Sequence, residues 1–340
     1  MFRNTLSIIF LIVLSSAISN AAHAISCEDI ITSSITLSSD LYCSTDQAAL
    51  VVSADNVTID LNGFTIFGIG STVGIIASDK NNLTVTNGKF KGVNSGVLAN
   101  RVTGLKVNNI VVTDSGNGVV GNSINNAIIE NNIFVDTYRG VSIQNDQATM
   151  TANNNVIDSN LFYRSDTAIY ICGNNADDNL LTNNAIWKST TAGIRLIQSD
   201  RTQISSNTVF ETANAAIALS SSSYSTINNN NLRRGSIGLS VDTNSTTTSC
   251  LGSFNRSSYK NVFDSNYSME FEYGVHLGNS RKISTIPNRD LVLTNSVMRN
   301  KIYNNQVGIF FNTNARYNST SNAFQGTITP IIDDGFGNRY

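Results

Sequence analysis

Ile157-Asp158-Ser159-Asn160-Leu161-Phe162 is one copy of a unit that returns along the whole chain. An apolar residue is followed three places later by Asn, and an apolar residue follows that Asn by two places. Copies centre on Asn132, Asn160, Asn184, Asn207, Asn230 and Asn300, and less regularly on Asn266 and Asn322. About eight residues after each comes a companion: a small residue, then apolar, any, apolar, as in Gly193-Ile194-Arg195-Leu196. The small residue recurs at Gly74, Gly96, Gly118, Gly140, Ala168, Gly193, Ala216, Gly238, Gly274 and Gly308, with steps of 22, 22, 22, 28, 25, 23, 22, 36 and 34.

A base step near 22 residues, two or three short alternating runs per unit, Asn in the turns and no helical period specify a solenoid of strands. The expected fold is all-β, a single-stranded right-handed parallel β-helix of about ten or more coils. Leucine-rich repeats share the step, but they require Leu where this chain accepts Val, Ile, Phe or Leu. At about 4.8 Å per coil, ten coils make a rod on the order of 48 Å long. The repeated Asn has a structural reason. A tight inward turn must satisfy backbone groups shielded from water, and Asn supplies a donor, an acceptor and tolerance of left-handed backbone. Stacked in register, such side chains bond to one another as a ladder.

The bulk composition agrees. Charged residues are 14% of the 340, Asn is roughly one residue in seven, and only Pro287 and Pro330 are prolines, so Asn and Gly build the turns. A net charge of −2 argues against a nucleic-acid partner, which needs a basic stripe. Residues 1–24 read as a signal peptide: Arg3, an apolar run from Leu6 to Leu14, and a small-x-small site at Ala22-His23-Ala24. The run is too short to span a bilayer as a helix. The expected product is exported (periplasmic, cell-surface or secreted), with residues 25–50 as an N-terminal cap and 51–340 as the β-helix domain. Cys27-Glu28-Asp29-Ile30-Ile31 reads as a short helical turn within that cap. Export permits disulfides; Cys27 pairs with Cys43 across a short loop, which leaves Cys172 for Cys250.

Departures from the step point to function. Extra residues fall at 144–153, 172–178, 242–258 and 278–289, each after the Gly-apolar-x-apolar strand, so all leave the solenoid at one corner. Insertions at one corner either line a binding face or are decoration that a corner tolerates. The strand beside that corner turns one side chain outward per coil: Ile76, Leu98, Val120, Ser142, Tyr170, Arg195, Ala218, Ser240, His276 and Phe310. Tyr170 and Arg195 sit one coil apart and are the catalytic candidates. Arg holds a sugar carboxylate and Tyr relays a proton, the chemistry of uronate lyases and epimerases. The same two side chains also read as a stacked surface pair without chemistry. Arg139, Asp177, Asp178, Asp242 and His276 are the candidate substrate-binding residues, with Asp166, Asp200 and Glu211 expected near the same face. His276 alone reads as an exposed side chain of no special role. Asp177-Asp178 and Asp333-Asp334 offer oxygens of the kind Ca²⁺ requires, without a full ligand set, so no metal site is assigned.

Asn56-Val57-Thr58-Ile59-Asp60-Leu61-Asn62-Gly63-Phe64-Thr65-Ile66 resembles the first coil of bacterial and archaeal right-handed parallel β-helix repeat proteins, the pectin-lyase-like superfamily with its NosD-like periplasmic branch. The tail Asp333-Asp334-Gly335-Phe336-Gly337-Asn338 is similar to endings seen there. The resemblance covers about residues 30–340. It implies the fold and a polysaccharide partner, since the superfamily holds pectate lyases, polygalacturonases and alginate epimerases. It implies no catalytic residue. Gly274-Val275-His276 is not the Gly-His-Gly of polygalacturonases, and no Asp-Pro-His-Asp run is present. Copper handling would favour His ligands, and beyond residue 24 the chain has only His276. The expectation is therefore a polysaccharide-binding β-helix that either modifies its ligand or serves as a non-catalytic surface rod.

Overall fold

The computed structural model describes residues 25–44, 46–145, 149–243, 256–279 and 291–340. Residues 1–24, read above as a signal peptide, lie outside the described residues, as do Cys250 and parts of three insertions. Every coil contributes short strands to parallel ladders. One ladder carries the Asn-leading strands, such as Val156–Asp158, Leu180–Thr182 and Gln203–Ser205. A second carries the strands after the Asn turn, such as Leu161–Tyr163 and Ala185–Ser189. The third carries the Gly-apolar-x-apolar strands and runs through thirteen strands, from Asp29–Ile31 to Thr329–Asp333. The twelve steps between them make a rod on the order of 58 Å.

The register is the one the anchors imply. Val141 pairs with Ile169, Ile169 with Ile194, Ile194 with Ile217, and Ile217 with Leu239. The longer steps are absorbed outside the ladder, so strand alternation keeps the same side chains inward on both sides of each insertion.

All eight predicted asparagines form one continuous ladder. Each Nδ2 donates to the Oδ1 of the next, from Asn132 through Asn160, Asn184, Asn207, Asn230, Asn266 and Asn300 to Asn322, at 2.9–3.1 Å. The same Oδ1 also accepts the backbone N–H of the preceding rung, as Asn184 does for Asn160 at 3.1 Å. Left-handed backbone is carried one residue earlier than expected: Ser159 has φ 55° and Asn183 φ 54°, whereas none of the ladder residues has a positive φ. The ladder Asn must turn inward to reach its neighbours, so its predecessor makes the bend. A second ladder went unread. Asn155 donates to Asn179, and Asn261 to Asn295, Asn318 and Asn338 in turn. Thr202 and Ser225 bridge the gap between the two runs.

The leading small residue also has a packing cause. A Cβ on Gly140 would fall 2.3 Å from the Phe162 ring, and one on Gly118 would fall 2.2 Å from Phe134. Phe134, Phe162, Ile186, Val209 and Leu232 form one buried column in register. Ala replaces Gly at 168 and 216, where that column carries Ile186 and Leu232 rather than Phe.

The N-terminal residues correct one expectation. Asp29–Ile31 is a strand, not a helical turn, and it pairs with Leu50, Val51 and Val52, so residues read as a cap continue the ladder as its first coil. The apolar surface of the coil above is satisfied better by one more strand than by a helix. Cys27 and Cys43 are disulfide-bonded with Cα atoms 5.7 Å apart. Cys172 is disulfide-bonded as well; its expected partner, Cys250, is outside the described residues. At the other end, Asn338 closes the second ladder, and Asp333 Oδ1 accepts from Gly335 N and Asn338 Nδ2. That pair of bonds occupies a carboxylate considered above for calcium. Pro330 lies in the last strand and removes a ladder donor where pairing ends.

Candidate functional site

Alternation in the third ladder points the middle residue of each strand outward, and the register aligns Ser142, Tyr170, Arg195, Ala218, Ser240, His276 and Phe310 in one column. Its middle is a depression. Ala218 and Ser240 are short, Ala215 lies beside them, and their taller neighbours Arg195 and His276 bound a pocket of ≈150 Å³ that Asp242 also lines. Arg195 and His276 are three coils apart, about 14 Å by coil rise.

Arg195 is half-buried and makes no hydrogen bond or ion pair among the described residues. A guanidinium in that condition keeps its donors available for a planar anion. His276 is not the exposed side chain expected from sequence. It is 6% exposed, and its ring stacks on Phe310 with centroids 5.1 Å apart and on Tyr273 at 5.7 Å. Burial lowers its pKa to about 4, so the imidazole is neutral near pH 7. Its Nε2 is buried with no hydrogen-bond partner. An unpaired buried nitrogen on a pocket wall is costly unless a ligand or water completes it.

The other predicted residues are placed differently. Tyr170 is adjacent to Arg195, but it is only 2% exposed, and the Arg139 guanidinium lies 3.7 Å from its ring centroid. Arg139 is thereby spent as a lid on Tyr170. Asp177 and Asp178 lie at the insertion corner and share Arg201, at 3.2 and 2.8 Å. Asp177 also accepts the backbone N–H of Asp200 at 2.7 Å. Burial, together with the Asp200 carboxylate nearby, raises the Asp177 pKa. Asp200 in turn holds Arg256 at 2.8 Å. Asp166 and Glu211 are on the opposite corner, where Asp166 accepts from the hydroxyls of Thr190 and Thr191 at 2.8 and 2.6 Å. Of the predicted acids, only Asp242 reaches the pocket. No group of three or more His, Cys, Asp or Glu among the described residues is placed to hold a metal ion.

The fold can now be compared with known proteins. A family model described as "Right handed beta helix region" matches residues 95–254. The fold of this chain is a right-handed parallel β-helix. That description does not single out the NosD-like branch. No curated protein sequence matches the chain. Among solved structures it is similar to the A-module of mannuronan C-5 epimerase AlgE4 from Azotobacter vinelandii, with a TM-score of 0.60 and 14% identity over 89% of this chain and 84% of that one. It is also similar to PfbA, a surface adhesin of Streptococcus pneumoniae, with a TM-score of 0.55 and 13% identity over 92% of this chain and 81% of that one. The catalytic unit of an α-1,3-glucanase from Streptomyces thermodiastaticus shares the fold at a TM-score of 0.54 and 13% identity, over 92% of this chain and 62% of that one. At such identities the likeness is one of fold. An epimerase, a glucanase and an adhesin all use it, so the choice among roles rests on the site.

Two features of that site were missed in the sequence. The stack forms because Phe310 lies in register with His276 on the next coil and Tyr273, three residues earlier on the same strand as His276, packs against both rings. The pocket floor was visible as the run of small residues around Ala215 and Ala218.

Proposed function

We propose that this is an exported protein that binds an acidic polysaccharide on the outward face of the third ladder. The observation that carries it is the pocket between Arg195 and His276, where an unpaired guanidinium at one end, the carboxylate of Asp242 and a buried imidazole at the other end bound a floor of small side chains. Arg195 takes a sugar carboxylate, and the stack of Tyr273, His276 and Phe310 closes the far end of the pocket. The disulfides support an oxidising compartment.

Binding, rather than turnover, is the role the geometry favours. The proton relay read into Tyr170 needs access to substrate, and Tyr170 is covered by Arg139. The test is a glycan array that includes alginate, pectin and glycosaminoglycans. Wild type is expected to capture an anionic glycan, and Arg195→Ala to lose about tenfold or more in affinity, as removal of a charge-assisted bond implies. An array with no captured glycan overturns the reading. New unsaturated ends, reducing ends or epimerised units in the captured polymer would make the protein an enzyme rather than a lectin-like rod.

A further inference from the structure

The pocket has a neighbour on three of its four coils. At the corner entering the third ladder, a cleft of ≈370 Å³ is lined by Ser189, Thr212, Ala213 and Gly235, with Lys188, Glu211 and Arg234 at its rim. The connecting segments carry both sites. Ser189 and Thr190 line the cleft, while Thr191 and Ala192 line the pocket; Thr212 and Ala213 line the cleft, while Asn214 and Ala215 line the pocket. The ridge between them is pinned from the preceding coil, since Asp166 holds the hydroxyls of both Thr190 and Thr191.

Unmet polar groups lie just beneath the lining of the cleft. Ser189 and Thr212 pair in register on adjacent coils and are 2% and 3% exposed, yet neither hydroxyl oxygen has a hydrogen-bond partner. At the same turn of earlier coils the need is met, because Thr137 and Ser165 bond each other at 2.8 Å. On the next coil the position is Gly235, which adds no side chain above Thr212. Hydroxyls left unpaired beside a cleft cost free energy that a polyhydroxylated guest recovers.

We propose that the cleft is a second saccharide subsite, and that the ligand crosses the rod over this corner, transverse to its axis, with one part in each site. The inference rests on the polysaccharide reading above and adds its direction and the chain length it needs. A ligand running along the axis would leave the pocket over Tyr170 or Phe310, where the column rises, and would never meet Ser189 or Thr212.

The test uses the exported chain with alginate, pectate and hyaluronan oligosaccharides, from disaccharide to octasaccharide, by calorimetry. In the series that binds, affinity is expected to rise about tenfold once the oligosaccharide is long enough to span both sites. Ala213 is exposed, so Ala213→Trp fills the cleft without touching the core. It is expected to abolish that rise and leave the shortest binder unchanged, whereas Ala218→Trp, which fills the pocket, removes binding at every length. Ser189→Ala with Thr212→Val is expected to lose the rise as well. A rise that survives Ala213→Trp, or affinity independent of length, overturns the transverse subsite while leaving the polysaccharide reading intact. No binding in any series overturns both.

Discussion

Replacing Asn184 by Leu tests whether the ladder is a stabilising element or a by-product of stacking. Four hydrogen bonds go with the amide. Its Oδ1 accepts from Asn160 N and Asn160 Nδ2, both at 3.1 Å, and its Nδ2 donates to Ile157 O at 2.9 Å and Asn207 Oδ1 at 3.0 Å. Two partners have alternatives. Asn160 Nδ2 keeps Ile129 O and Asp158 O, and Asn207 Oδ1 keeps the backbone N–H of residue 184. The Asn160 backbone N–H loses its acceptor where water cannot enter, and Ile157 O loses its amide donor. One stranded group costs about 1–3 kcal/mol, and with the weakened carbonyl the expected loss is about 3 kcal/mol. Asn322→Leu is the control. It removes the same kind of rung at a half-buried end of the ladder, where water can replace the amide, so about 1 kcal/mol is expected. The measurement is urea unfolding followed by circular dichroism, with hydrogen exchange of the peptide containing Asn160 as a local readout. Exchange matters because a solenoid need not unfold in one step. If Asn184→Leu leaves the midpoint and the Asn160 amide protection at wild-type values, the ladder does not hold the frame. The same conclusion follows if Asn322→Leu costs as much.

Other outcomes follow from single contacts. Gly140→Ala places a methyl against the Phe162 ring and the Ala168 carbonyl, and it should cost about 3 kcal/mol in the same urea assay; Gly140→Ala combined with Phe162→Ile, which copies the Ala168–Ile186 arrangement, should recover part of it. His276 takes up a proton in the unfolded chain below about pH 6.5 but in the folded chain only below about 4, so its contribution is complete above pH 6.5 and declines as pH falls toward 4. That window corresponds to about 3 kcal/mol, and wild type should lose that much more than His276→Phe between pH 7 and pH 4 in parallel denaturation series. Reducing the Cys27–Cys43 bond, or Cys27→Ser with Cys43→Ser, should destabilise the first coil by about 3 kcal/mol, seen as faster proteolysis near the N-terminus while the central coils hold.

The frame was legible because it repeats. Asn160 and Asn184 serve one geometric need at successive coils, so periodicity exposes them, and the register they set placed Tyr170 beside Arg195 and His276 in the same outward column. The second ladder was equally legible in principle, since Asn155, Asn179, Asn261 and Asn295 each stand five residues before a member of the first. It was hidden where Thr202 and Ser225 substitute for Asn. The site was less legible for a different reason. A column of outward residues gives order along the rod but not height, and height decides what a ligand can reach. Tyr170 is in the right column yet buried, because Arg139 from the preceding coil folds over it. The charge of Arg139 and the acids Asp177 and Asp178 looked available in sequence, but each is consumed by a neighbour one coil away, a contact across more than twenty residues that no local pattern records. What survives this internal pairing is the better guide to function in a solenoid. Among the described residues it includes Arg195, His276 Nε2, and the hydroxyls of Ser189 and Thr212, on either side of one ridge, while single unmet atoms also occur elsewhere, as at Asn108 Oδ1 and Arg316 Nε. Stacking like on like satisfies most polar groups of this fold, and these four unmet groups fall within four neighbouring coils.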